Sequence, residues 1–319
     1  MKAMVMTGVG GVNKLEYRSV DNPVPKKDEA LVKVLYCGIN HLDLLIRLGK
    51  RSGPKQFPHI LGSEIAGELS SGEIVAVYPW IFCGKCEQCK SGNEQMCNSG
   101  GTVGRNAWGG YAEYVAVPKR NLITISKQIA QKASAIILAG TTAHHLVRRG
   151  NIQDKATVLV TGATGGVGTL VIQLLKLKKC TVICATSHEK KISLLRKLGA
   201  DRVVLVERMV EEVNYAIDLV GGDTWSKAVQ TLGKNGTFTF CSTSKEEIGR
   251  LDIGNAFAKQ LNILGSTGGN REDLQAVLQL VQKGVIKPVI NAVFSLEDAK
   301  KAHERMEKQE VFGKMLLKV

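Results

Sequence analysis

The sequence predicts an α/β protein in two parts, a β-rich segment and a doubly wound, six-stranded parallel sheet. Three observations carry that expectation. The first 125 residues are dense in short β runs separated by Gly and Pro. From about residue 155, apolar β runs alternate with helical patterns. A glycine-rich turn joins the first of those strands directly to the first of those helices.

In the first part, "ALVKVLYCGIN", "EIVAVYPW" and "GGYAEYVAVP" read as strands. In the second, the six runs are "TVLVTG", "CTVICAT", "RVVLV", "NYAIDLV", "GTFTFCS" and "LNILGST". Between the first two of these lies "GGVGTLVIQLLKLKK", in which Val167, Leu170, Val171, Leu174 and Leu175 share one helical face. "HEKKISLLRKLGA" repeats the pattern with Ile192, Leu195 and Leu198, and puts Gly199 where a left-handed C-cap is wanted. The tail "VFSLEDAKKAHERMEKQEVFGKMLLKV" reads as a helix and a strand able to return to the first domain.

A chain of 319 residues, 44% hydrophobic and 23% charged, has the balance of a soluble globular protein. Its apolar runs are too short to span a membrane, and "MKAMVMTG" lacks a signal core, so a cytoplasmic location is expected. The net charge of +14 suits an anionic partner. Lysines scattered in pairs, with aromatics at only 5%, speak against nucleic acid. Solvated surface charge or attraction for a phosphorylated ligand accounts for the excess, and a non-catalytic nucleotide-binding protein with nucleic-acid affinity stands as the rival class.

Eight cysteines divide into a cluster of four and four scattered ones, which implies reduced thiols and one metal site. Cys83, Cys86, Cys89 and Cys97 follow a Cys-x2-Cys-x2-Cys-x7-Cys spacing that closes a tetrahedral tetrathiolate, with no position left for water or substrate. In "VTGATGGVG", Thr164, Gly165, Gly166, Val167 and Gly168 set backbone amides and a helix N-terminus where a pyrophosphate would lie. The second strand ends in "ATSHEKK". No carboxylate stands at its tip to take a ribose hydroxyl, while Thr186, Ser187 and Lys191 suit a 2′-phosphate. NADPH is therefore expected, with NADH the alternative if the lysines are only a charged helix start.

"CGKCEQCKSGNEQMC", "GGYAEYVAVP", "TGATGGVG" and the closing "GKMLLKV" resemble the medium-chain dehydrogenase/reductase superfamily of zinc alcohol dehydrogenases and quinone oxidoreductases. The resemblance implies a GroES-like catalytic domain over 1–125 and 268–319, with its zinc lobe near 82–98, and a Rossmann domain over 126–267. It also implies a structural zinc on the four cysteines, cofactor and substrate meeting in an interdomain cleft, and a homodimer or homotetramer. His41 and Lys314 would face the cofactor phosphates, and Thr142, Val220, Ser242 and Ser266 would complete its binding track.

The catalytic-zinc positions of that superfamily depart from pattern. Asn40 stands for the cysteine ligand, Ser63 for the histidine, and Leu138 near the third; Leu42 and Leu45 replace the proton relay. "LDLLIRLG" and "GTTAHHL" are similar to the quinone oxidoreductase branch, although Leu45 also replaces that branch's usual tyrosine. One structural zinc and no catalytic zinc are expected. Hydride transfer from NADPH to an activated C=C bond (enone, quinone or enoyl ester) is the expected reaction, with a carbonyl reductase using a water relay as the alternative. Asn40 and Ser63 are the expected hydrogen-bond donors, with His41 or Tyr111 offered as proton sources.

Overall fold

The computed structural model describes residues 1–242 and 247–319, and its longest strand, Glu29–Ile39, organises the first part of the chain. A register shift between Val34 and Tyr36 bends this strand, so that one end pairs with Tyr114–Pro118 and the other lies between Glu64–Glu68 and Lys314–Lys318. The bent strand gathers a seven-stranded sheet whose far edge is Ile290–Ser295, parallel to Lys314–Lys318. Strand Lys314–Lys318 thus returns to the first part of the chain through its antiparallel pairing with Glu29–Ile39. Strand Lys2–Met6 lies between Leu15–Ser19 and His59–Ile60 in a separate small sheet. Met4, Met6, Val32, Ile39, Ile65 and Leu317 pack in the shared core.

The second part is a six-stranded sheet with every neighbour parallel. Its spatial order is Arg202–Leu205, Thr181–Thr186, Thr157–Val160, Val213–Asp218, Leu232–Phe240, Asn262–Gly265. Counted along the chain this is 3-2-1-4-5-6, the doubly wound order that places its switch point between Thr157–Val160 and Val213–Asp218. Helix Gly166–Leu177 buries Leu170, Val171, Ile172, Leu174 and Leu175, while helix Ile192–Leu198 ends at Gly199 with φ 116°. The expected apolar faces are buried at Leu170, Val171, Leu174 and Leu175 in the first helix and at Leu195 in the second, with Val167, Ile192 and Leu198 half-buried.

Two compact units result, Met1–Ala139 with Asn270–Val319, and Gly140–Gly269. The division between these units falls after Ala139, where the sequence had suggested a change near residue 125. Helix Ala130–Ala133 buries its two end alanines against strands of the first unit. A helix of four residues packed through alanine has no amphipathic stripe, so it leaves no periodic signal. Among the described residues no helix is long and apolar enough to cross a membrane.

Candidate functional site

The four-cysteine lobe is built by turns. Cys83 follows strand Trp80–Ile81, Cys89 sits on the short helix Glu87–Lys90, and Cys97 follows Glu94–Met96. Gly84 and Gly92, at φ 72° and 74°, supply the left-handed turns that bring these pieces together. Sulfur–sulfur separations are 3.5 Å for Cys86–Cys89 and 3.9 Å for Cys83–Cys89 and Cys86–Cys97. A tetrahedron with metal–sulfur bonds of about 2.3 Å has edges of about 3.8 Å. The cluster is therefore set to the size of a zinc tetrathiolate. Backbone N–H groups of Lys85 and Cys86 point at Cys83 Sγ and hold its thiol down to about 6, while burial pushes Cys89 up to about 12. This is a four-cysteine zinc site, and among the described residues no other group of three or more His, Cys, Asp or Glu converges in this way.

The second centre lies where the long strand ends. Gly38 allows the approach, because a Cβ there would overlap Glu64 Oε2 and Ser134 O. Beyond it, Asn40 is 9% exposed. Its Oδ1 accepts from Lys314 Nζ at 2.8 Å, and this fixes the amide flip, since an ammonium can only donate. Nδ2 consequently faces the other way, buried and without a hydrogen-bond partner. Asp43 pins the surrounding backbone by accepting from Asn40 N at 2.8 Å and Gly62 N at 3.2 Å. Glu64, also buried, accepts from the backbone N–H groups of Leu138 and Ala139, both at 2.7 Å.

The structure bears on the roles expected of four residues at this centre. Ser63 donates its only hydroxyl proton to Val103 O at 2.7 Å, so it has none for a substrate oxygen. Lys314 is 4% exposed and donates to Ile39 O and Asn40 Oδ1 while pairing with Glu64 Oε2 at 2.5 Å. Two hydrogen bonds and this ion pair turn its ammonium inward, where it orients the Asn40 amide. His41 opens its helix, and burial and then the charge of Lys50 hold its ring below the ordinary value, which disfavours the charged form. Tyr111 is fully buried, and its hydroxyl is engaged with Asp43 and His303. Its phenol, raised by burial, is no ready acid. Trp80 is buried and tilted on Tyr78 at a centroid distance of 5.3 Å, and Trp108 packs on the core of the first unit.

In the second unit the remaining predicted residues, Thr142 apart, stand at or just beyond the carboxyl ends of the parallel strands. Thr164 and Gly165 lead into helix Gly166–Leu177, whose N-terminus carries no side-chain cap, so its first N–H groups stay open to an anion. Gly168 is required for packing: a Cβ would lie 2.5 Å from Gly162 O and 2.6 Å from Ala163 Cα. Gly165, by contrast, meets only Gly162 O at 3.6 Å. Gly166 and Val167 open the helix. Thr186 is buried at the tip of its strand and accepts from His188 N, Ser187 is exposed, and Lys191 is half-buried. Val220 donates its N–H to Asp218 at 3.2 Å. Ser242 follows the fifth strand; Ser266 follows the sixth, its Oγ buried without a partner. Thr142 lies buried on helix Ala139–Arg149. This donor set, with uncapped amides, an orphaned hydroxyl and a tip free of carboxylate, fits a dinucleotide.

Sequence reading missed Asp218, which braces the second unit. Asp218 accepts from Thr161 Oγ1 at 2.5 Å and from Gly221 N at 2.7 Å, tying the strand ends at the switch point. The acid ending "NYAID" was its only signal. Asp43 carried one too, three residues after Asn40 at a helix start.

Comparison with known proteins extends this geometry. Residues 26–127 match the family model described as alcohol dehydrogenase GroES-like domain, and residues 166–283 match zinc-binding dehydrogenase. The chain is 33% identical to an NAD-dependent alcohol dehydrogenase of Sulfolobus acidocaldarius, over 100% of both chains. It is 29% identical to an acryloyl-coenzyme A reductase of Metallosphaera sedula, over 99% of both. A thermostable alcohol dehydrogenase from Pyrobaculum aerophilum, solved with cobalt and zinc bound, superposes with a TM-score of 0.94 at 31% identity, covering 100% of this chain and 99% of that one.

Proposed function

Since the chain belongs to the zinc-containing alcohol dehydrogenase family of medium-chain oxidoreductases, we propose that it uses NADPH to reduce an activated C=C bond, in an enone, quinone or enoyl ester, with no zinc at the reacting centre. The observation that carries this reading is Asn40. A buried amide N–H left without a partner costs about 1–3 kcal/mol, and here Lys314 holds it in that state. Such a donor is suited to an oxygen that gains charge during reaction.

NADPH, when bound, supplies the hydride. Hydride addition at the far carbon of a conjugated carbonyl moves negative charge to the carbonyl oxygen as an enolate. One well-aimed donor is worth roughly 3–4 kcal/mol, which suffices for a delocalised enolate and falls short for an alkoxide. The Lys314 ammonium withdraws density through Oδ1 and strengthens Nδ2–H as a donor, while Glu64 balances its charge within the core. Asn40, Ser63 and Leu138 at the ligand positions offer no thiolate or imidazole to a second zinc. At the cofactor end, the Gly165–Gly168 turn would take the pyrophosphate, and Thr186, Ser187 and Lys191 the 2′-phosphate. Support for the C=C reading also comes from the acryloyl-coenzyme A reductases among the relatives. The alcohol dehydrogenases among them favour the second reading, carbonyl reduction through a water relay. We further propose a cytoplasmic homodimer or homotetramer. A screen of NADPH oxidation across enones, quinones, acyl thioesters and aldehydes tests the proposal; turnover with aldehydes alone would select the second reading.

A further inference from the structure

Beneath Asn40 runs a chain of buried side chains that the proposed reaction does not itself call for. Arg47, Asp43, Tyr111 and His303 are all fully buried, and they come from one helix, a loop and the C-terminal helix Ala299–Glu307. Arg47 Nε lies 3.4 Å from His303 Nδ1; His303 Nε2 lies 3.1 Å from Tyr111 Oη; Tyr111 Oη lies 3.4 Å from Asp43 Oδ2.

The direction of this chain follows from its first member. A guanidinium only donates, so His303 Nδ1 must accept. The ring proton then sits on Nε2 and is given to Tyr111, and the phenol proton turns to Asp43. Burial, and then the charge of Arg47, hold His303 down to about 3, so the ring is neutral, as this order requires. Arg47 is anchored in turn by Gly10 O at 2.7 Å and by Glu307. Because arginine does not release its proton, the chain cannot conduct protons inward. It is a fixed line of dipoles ending on a carboxylate.

We propose that Arg47, His303 and Tyr111 are positioning residues, whose hydrogen-bond chain fixes the Asp43 carboxylate and through it the two backbone segments, at Asn40 and Gly62, that frame the reacting centre. This rests on the role given to Asn40 above. The coupling to Gly62 is also steric: with φ 103°, its missing Cβ leaves room for Tyr111 Cδ1, which would otherwise be 2.5 Å away. Tyr111 thus supports Gly62 with its ring and Asp43 with its hydroxyl.

Asp43 is the titrating member. Burial raises it to about 6, against the lowering effects of the Asn40 N–H, Lys314 and the Gly62 N–H, with Glu64 adding a smaller raising effect. Cys37, also buried beside it, stays a thiol because burial and these carboxylates raise it. Protonated Asp43 is a poorer acceptor for Asn40 and Gly62, so activity should fall as pH drops through this value. Removing the Tyr111 hydroxyl takes one donor from the ionised form and must move the titration upward.

The test follows Asp43 by carboxyl ¹³C NMR in the full chain, alongside the pH profile of kcat/KM for an enone. Tyr111→Phe should raise the Asp43 midpoint, and the acid limb with it, by about one pH unit. His303→Leu should do the same. His303→Gln, which keeps an acceptor towards Arg47 and a donor towards Tyr111, should restore values near those of the unmodified protein. An unmoved Asp43 midpoint in Tyr111→Phe overturns the chain, and a moved midpoint with an unmoved acid limb overturns its positioning role. Should Tyr111→Phe fail to fold, equal midpoints in His303→Gln and His303→Leu would overturn it instead. Absence of any enone turnover in the unmodified protein would remove the reading of Asn40 while the NMR titration still decides the chain.

Discussion

A single ammonium group decides which face the Asn40 amide presents. Lys314 occupies Oδ1, so a change at either residue should act on a different quantity. Asn40→Ala removes the orphaned donor and should lower the rate with an enone by roughly 10²–10³, leaving NADPH affinity in equilibrium titration nearly unchanged. Lys314→Met leaves Glu64 buried without its partner, and loss of one member of such a pair costs about 3–5 kcal/mol. Its melting temperature should fall sharply, where that of Asn40→Ala should not. A stable Lys314→Met protein would contradict the buried pairing. Lys191 belongs to the same scale. Lys191→Ala should erode the proposed preference for NADPH over NADH by about 1–3 kcal/mol, measured as the ratio of the two dissociation constants.

Elements differ in how openly the sequence declares them. Helix Gly166–Leu177 and its turn were legible because local rules suffice: apolar spacing, glycines and an uncapped start all lie within one stretch. The zinc lobe was legible from cysteine spacing for the same reason. The second centre was only half legible. Asn40 and Ser63 could be picked out by type, but the donors and acceptors that commit them lie far along the chain. Lys314 is 274 residues from Asn40 and Val103 is 40 from Ser63, so no local pattern foretells that the serine is spent or that the lysine faces inward. The short helix Ala130–Ala133 escaped because alanine packing carries no periodicity. Two element-level consequences are measurable. Gly168→Ala should push the helix off the turn at Gly162, weakening binding of both NADPH and NADH together, whereas equal binding before and after would show that the turn has slack. Cys89→Ser should release zinc, bringing metal analysis below the expected one atom per chain, and lower the melting temperature.

At the scale of the whole molecule, two units divide the chain: one holds the polar centre at Asn40, and the other carries the parallel sheet to which the cofactor is proposed to bind. The net charge of +14 is spread over both and adds a long-range attraction for anions. Raising ionic strength should therefore weaken NADPH more than NADH, because the extra phosphate is the exposed charge being screened. The family frame alone leaves two chemistries open, since its members named here act as alcohol dehydrogenases and as acryloyl-coenzyme A reductases. The choice between them turns on whether the charge built on oxygen is met by a metal or by an amide. The most direct measurement is steady-state turnover of the metal-replete protein, with and without a zinc chelator, comparing NADPH oxidation by an enone or quinone with NADP⁺ reduction by a simple alcohol. Chelator-insensitive reduction of the conjugated acceptor with negligible alcohol oxidation is the predicted result; robust alcohol oxidation with no turnover of any conjugated acceptor would contradict it.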